Sequence, residues 1–194
     1  MALGLGLAIP LSACGGDVGI PGDEVIGRFA FTAELLPGGC SFEELPQGDR
    51  FDFQGTFSRD TGGGGAWMTV GQVNRDGAWD GQRFDSTASA PRRFEVKGGC
   101  SQYDVEERLQ VAVLSQSQDA ALGGGCPEDA HALLADGAVP VDEAQGILPP
   151  GPVELGYDAV RACGVITHRV RSTAACATPV DCPLTWRVEG TRRQ

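Results

Sequence analysis

The chain has 194 residues, 41% of them hydrophobic, and a formal net charge of −11. That balance argues against nucleic acid, whose phosphates call for Lys and Arg, and against adsorption on anionic lipid headgroups. No apolar run approaches the length of a membrane-spanning helix.

Residues 2 to 13 read Ala-Leu-Gly-Leu-Gly-Leu-Ala-Ile-Pro-Leu-Ser-Ala and carry no charge. A short apolar run ending in small residues has the form of an export signal and its cleavage site. Only Met1 and Ala2 precede the run, so the basic segment usual in such signals is missing. Leu11-Ser12-Ala13-Cys14, at the end of this run, resembles the lipobox of bacterial lipoproteins. The resemblance covers the first fourteen residues. It implies that the Cys14 thiol takes a diacylglyceryl thioether, that residues 1–13 are removed, and that acyl chains such as palmitate hold the new N-terminus in a membrane. The composition, rich in Gly, Ala, Asp and Arg with Lys97 the one lysine, resembles that of lipoproteins from GC-rich, myxobacteria-like genomes.

Residues 14–26 follow as a tether, because Gly, Pro and Asp crowd Gly15 to Asp23 and favour a solvated, flexible chain. Residues 27–194 are expected to form one folded domain.

With Cys14 set aside, six cysteines remain: Cys40, Cys100, Cys126, Cys163, Cys176 and Cys182. An even set in an exported chain reads as three disulfides. Zinc would need close C-x-x-C pairs, and the sequence has none.

Residues 28–35 alternate, with Phe29, Phe31, Ala33 and Leu35 on one face, which predicts a half-buried first strand. Residues 51–59 repeat the pattern through Phe51, Phe53 and Phe57. Gly62 to Gly65 reads as a turn, since no Lys-Ser/Thr pair follows to make a phosphate loop. Residues 66–73 are a third strand. Asp76-Gly77 is a hairpin signal, which places a fourth strand from Trp79 to Phe84 with a bulge at Asp80-Gly81. Asp76, Asp80 and Asp85 lack the spacing of a calcium loop.

Residues 93–97 are a fifth strand, with Phe94 and Val96 inward. Residues 107–115 are a sixth, with Leu109, Val111 and Val113 in phase and a helix as the alternative. A helical turn is expected near residues 117–122. Residues 127–156 form a long loop-and-short-helix excursion, opened by Pro127 and broken by Pro140, Pro149, Pro150 and Pro152. Residues 164–172 and 184–189 complete the strands. His168 shares a face with Ile166 and Val170 and reads as a hydrogen-bonded core histidine rather than a base.

About eight short strands with turns between them predict an all-β fold, an antiparallel sandwich or a partly open barrel. An outer-membrane barrel does not fit short, cysteine-stapled strands. In an up-and-down path, loops alternate between the two ends of the sheet. Parity then predicts Cys40–Cys100, Cys126–Cys163 and Cys176–Cys182, one of fifteen connectivities open to six cysteines.

No nucleophile, metal or cofactor motif stands out. The expected role is a lipid-anchored, non-enzymatic envelope module, binding or structural, on the periplasmic face or the cell surface. Its membrane partner is reached through the acyl chains. One alternative is a barrel that binds a small apolar ligand or a glycan, using Trp67 or Trp79. The other is a hydrolase using a carboxylate pair.

Overall fold

A computed structural model describes residues 19–38, 48–63, 65–92, 103–135, 159–172 and 181–193. Eight strands run in order: β1 Glu24–Leu35, β2 Arg50–Arg59, β3 Ala66–Val70, β4 Val73–Trp79, β5 Arg83–Arg92, β6 Tyr103–Ser115, β7 Ala159–Ser172 and β8 Asp181–Arg192. Each pairs antiparallel with its neighbours, and β8 returns to β1 to close a barrel. Of the two architectures left open by the sequence, the barrel is the one observed, and its strands are longer than expected, up to 14 residues. β1 begins at Glu24, inside the stretch read as tether.

The alternation of side chains decides which face is inside. Phe29, Phe31, Phe57, Met68, Phe84, Val111, Leu184 and Trp186 point inward and are buried. The outer wall carries ion pairs across neighbouring strands: Arg50 and Arg187 on Glu34, Arg108 on Asp85, Arg169 on Asp181. Charges in mid-strand make this wall water-facing, the opposite of a barrel with an apolar belt outside.

Glycines make room for the rings. A Cβ on Gly190 would come within 2.5 Å of the Phe31 ring, and one on Gly55 within 2.4 Å of Met68 Cε. Alternating large and small inner residues allow side chains to pack inside a small barrel. Phe31 stacks on Phe53 at 4.8 Å and meets Phe57 edge-on at 6.1 Å.

The second hairpin is displaced from its expected place. The chain turns at Gly71-Gln72, where Gly71 has φ +60°, and Val70 pairs with Val73. A two-residue turn of this hand suits the strand twist. Asp76-Gly77, expected to be the turn, lies inside β4 opposite Trp67 and Ala66. Gly77 is there for space: a Cβ would meet the Phe84 ring at 2.6 Å. Asp80-Gly81, expected to be a bulge, forms the next turn, in which the Asp80 carboxylate accepts from the Gln82 and Arg83 N–H groups. The fifth strand expected at 93–97 lies outside the described residues.

β6 is a strand throughout, so the helix alternative for residues 107–115 is not adopted. The chain turns helical at α1, Gln116–Ala121, through a capping box between Ser115 and Gln118. A short 3-10 helix, Ala130–Leu134, is capped by Asp129. Together these form a lobe on the outside of β6 and β7. Leu114, Leu133 and Cys163 make a small second core there, with Leu122 and Cys126 against it. Arg161 binds the lobe to the wall, donating to Asp119, to Glu189 and to the Gly124 carbonyl.

Candidate binding site at the far end of the barrel

The barrel has two unlike ends. At the near end β1 begins and β6 leads into the lobe. There, inward-facing Arg59 is buried and donates to Glu24 at 2.6 Å, plugging the opening. Asp23 accepts from Thr61 N–H and Oγ1, each at 2.8 Å, which lowers its carboxyl below the usual range.

The far end carries a cluster that breaks the apolar pattern of the inner wall. Arg75 on β4 donates through Nε to Glu107 Oε1 on β6 at 2.5 Å. It reaches β6 from two strands away; between them on β5, the small, exposed Ala88 stands opposite Glu107. His168 on β7, also opposite Glu107 in register, contacts Glu107 Oε2 through Nε2 at 2.9 Å. An ionised carboxylate only accepts, so the proton of that bond sits on Nε2. The His168 ring rests edge-on against Trp186 at 5.0 Å, and Trp186 meets Phe51 at 6.0 Å.

Burial pushes the Glu107 carboxyl upward. The hydrogen bonds from His168 and Arg75 and the Arg75 charge outweigh that and hold it at about 2. Arg75 and Glu107 keep 24% and 21% of their side-chain surface exposed, so solvent reaches the cluster. Arg75 Nη1, by contrast, is buried without a hydrogen-bond partner. Toward the same end of the barrel, Leu35, Phe51, Phe53, Val70 and Val105 are half-buried and pack against the core. An apolar rim with a few converging polar groups is the usual make-up of a small-molecule site.

His168 is where the sequence places it: inward, 7% exposed and hydrogen-bonded. Arg75 and Glu107 escape a reading of the sequence. Arg75 lies beside the misassigned hairpin, and Glu107 sits among the charges of Glu106 and Arg108. The signal that finds them is parity: residues 107, 109, 111 and 113 share one face, so Glu107 must point where Leu109 points.

Of the predicted disulfide set, Cys126 bonds Cys163 with Cα atoms 5.5 Å apart, pinning the lobe to β7. Cys182, on the inner face of β8, is disulfide-bonded. Cys14, Cys40, Cys100 and Cys176 lie outside the described residues, and with them the other two predicted pairings. Trp79 packs against the barrel core, and Trp67 lies outside against Gly22 and Gly65; the two do not form one platform. Asp80 caps a turn and Asp85 holds Arg108 and Gln110. Among the described residues no group of His, Cys, Asp and Glu is arranged to hold a metal ion.

The chain matches no family model, no curated protein and no solved structure.

Proposed function

We propose that this protein is a lipid-anchored, non-enzymatic binding module of the cell envelope, and that the far mouth of its barrel receives a small, largely apolar ligand. The observation that carries this reading is the Arg75–Glu107–His168 cluster, turned into the barrel at the end opposite Arg59 and reached by solvent. Charges turned into a core are costly, and their retention at one mouth fits a role in recognition.

The placement of the tether supports the same reading. Nine residues, Gly15 to Asp23, separate Cys14 from β1, a reach of at most ~30 Å. An anchor at Cys14 therefore keeps the near end toward the bilayer and turns the mouth toward the aqueous side. Glu107 is held ionised down to about pH 2, which suits a fixed acceptor. A carboxylic acid that must deliver a proton near neutrality needs the opposite shift, and this weighs against the hydrolase alternative.

Two measurements test the reading. Membrane fractionation of wild type and Cys14→Ser, with the mass of the mature N-terminus, tests the anchor; release of the variant into the soluble fraction is expected. Binding of the neutral fluorescent probe N-phenyl-1-naphthylamine tests the mouth. Phe53→Arg, at the rim, is expected to weaken it by about tenfold or more, as the loss of an apolar contact and a new charge would. Thr56→Arg, on the outer face of the same strand, is expected to leave it unchanged. Equal effects from the two substitutions would remove the mouth from the account.

A further inference from the structure

The barrel wall is sewn unevenly, and one seam is left open. The Val113 N–H donates to the Gln82 carbonyl at 2.8 Å, which fixes the phase of hydrogen bonding between β5 and β6. Along that register Phe84, Ser86 and Ala88 turn their backbone groups to β6. Asp85, Thr87, Ser89 and Pro91 turn theirs the other way, to β4. On β4, the turn at Gly71-Gln72 pairs Val70 with Val73 and so points Asn74, Asp76 and Ala78 toward β5.

Ala78 meets Asp85, as it should. The next two matches along the same register are Asp76 with Thr87 and Asn74 with Ser89, and neither is made. The Asp76 carbonyl takes the Ser86 hydroxyl instead, at 2.5 Å. Asn74, Asp76, Thr87, Ala88 and Ser89 are all exposed. Pro91 stands on the same edge and has no N–H to leave unpaired, and an edge is a place where a sheet tolerates proline. Among the described residues, Thr87 and Ser89 thus have no ladder partner on this side and form a short edge, bounded by Pro91 at one end and by the Ala78–Asp85 pair at the other.

We propose that this edge docks an extended peptide strand with basic side chains, supplied by a protein partner. Strand addition uses the unpaired amides and carbonyls of an edge directly. The charge of the surroundings chooses the partner. Asp76 borders the slot on β4, and Asp104 stands opposite Pro91 on β6; both are exposed acids in a chain of net charge −11. Side chains of Lys or Arg on the outward face of the incoming strand reach them. A second copy of this chain would bring the same acids to the same edge, so like-charge repulsion disfavours self-pairing. The edge borders the seam that Arg75 crosses to reach Glu107, but strand addition uses only backbone groups of β5, so the proposal does not rest on the mouth being used.

The test uses the full chain and three labelled hexapeptides: alternating Lys-Val, alternating Glu-Val, and the Lys-Val peptide with its pairing amides N-methylated. Fluorescence anisotropy is expected to show the Lys-Val peptide binding at least about tenfold tighter than either other peptide, as lost charge matching and lost backbone bonds would each require. Hydrogen exchange is expected to show the Thr87 and Ser89 amides newly protected in that complex. Absence of binding, equal binding of the N-methylated peptide, or protection elsewhere would overturn the proposal. Protection of these amides in a concentration-dependent dimer, without peptide, would give the edge to a second copy and overturn it as well.

Discussion

The barrel is built of two unequal sectors. From β5 through β6, β7, β8 and β1 to β2 the strands are long, and β6 matches β7 from Tyr103–Ser172 to Ser115–Ala159. Between β2 and β5, β3 and β4 are short, 5 and 7 residues, and among the described residues β4 is in register with β5 at Ala78–Asp85 and Trp79–Phe84 only. The long sector holds Trp186, Phe31 and the Cys126–Cys163 disulfide; the short one holds the exposed β4 edge and Arg75. Rigidity and access are thereby divided between two halves of one wall, and the charged cluster spans the division, with Arg75 on one side and Glu107 and His168 on the other.

Substitutions are expected to weigh very differently in the two sectors. Trp186→Ala removes a fully buried ring from the long sector. It should cost about 3–5 kcal/mol, measured by urea unfolding. Thr87→Ala, on the open edge, should fall within about 0.5 kcal/mol of wild type. Comparable losses from the two would mean that the wall is evenly stabilised after all.

Removal of the Cys126–Cys163 bond, as a double Ser variant, should lower stability by about 2–4 kcal/mol in the chain-entropy account. Its 37-residue span includes the 3-10 helix of the lobe but not α1, so that helix should lose amide protection before the barrel does.

The cluster that joins the sectors gives the third expectation. The Glu107 carboxyl is depressed to about 2 from an ordinary 4.5. A depressed carboxyl stabilises the fold fully above its unfolded value and loses that contribution as pH falls through the folded one. Stability should therefore drop between about pH 4.5 and pH 2, by no more than about 3 kcal/mol from this group. Glu107→Gln should be less stable than wild type at pH 7, where Arg75 loses its counter-charge, and should show a shallower acid limb. An unchanged acid limb in the variant would mean that Arg75 and His168 do not hold the carboxylate in solution.

A smaller loss concerns the lobe's junction with β6. Ser115→Ala removes the helix cap made to the Gln118 N–H and should cost about 1 kcal/mol.

Much of the inner wall was legible in the sequence, because period-two alternation and burial are the same fact seen twice. Phe29, Phe31, Phe51, Phe53, Phe57, Leu109, Leu184 and Trp186 all point as the alternation says. The second hairpin was not legible. Asp-Gly is the stronger local turn signal, yet Gly77 serves the Phe84 ring, and Gly71 takes the turn one half-strand earlier. Packing overrode local preference, and β4 and β5 moved with it. The far-end cluster was hidden for a related reason. A charged residue on a strand reads as outward until the register of the whole barrel shows that Arg75 and Glu107 face each other across it.

Site-resolved amide hydrogen exchange of the free protein tests the division of the wall most directly. The account predicts that Thr87 and Ser89 exchange orders of magnitude faster than Val111 and Ile166, although all four lie within strands. Equal protection of the two pairs of amides would mean that β4 and β5 are joined along their length, and would contradict the open seam on which the short sector rests.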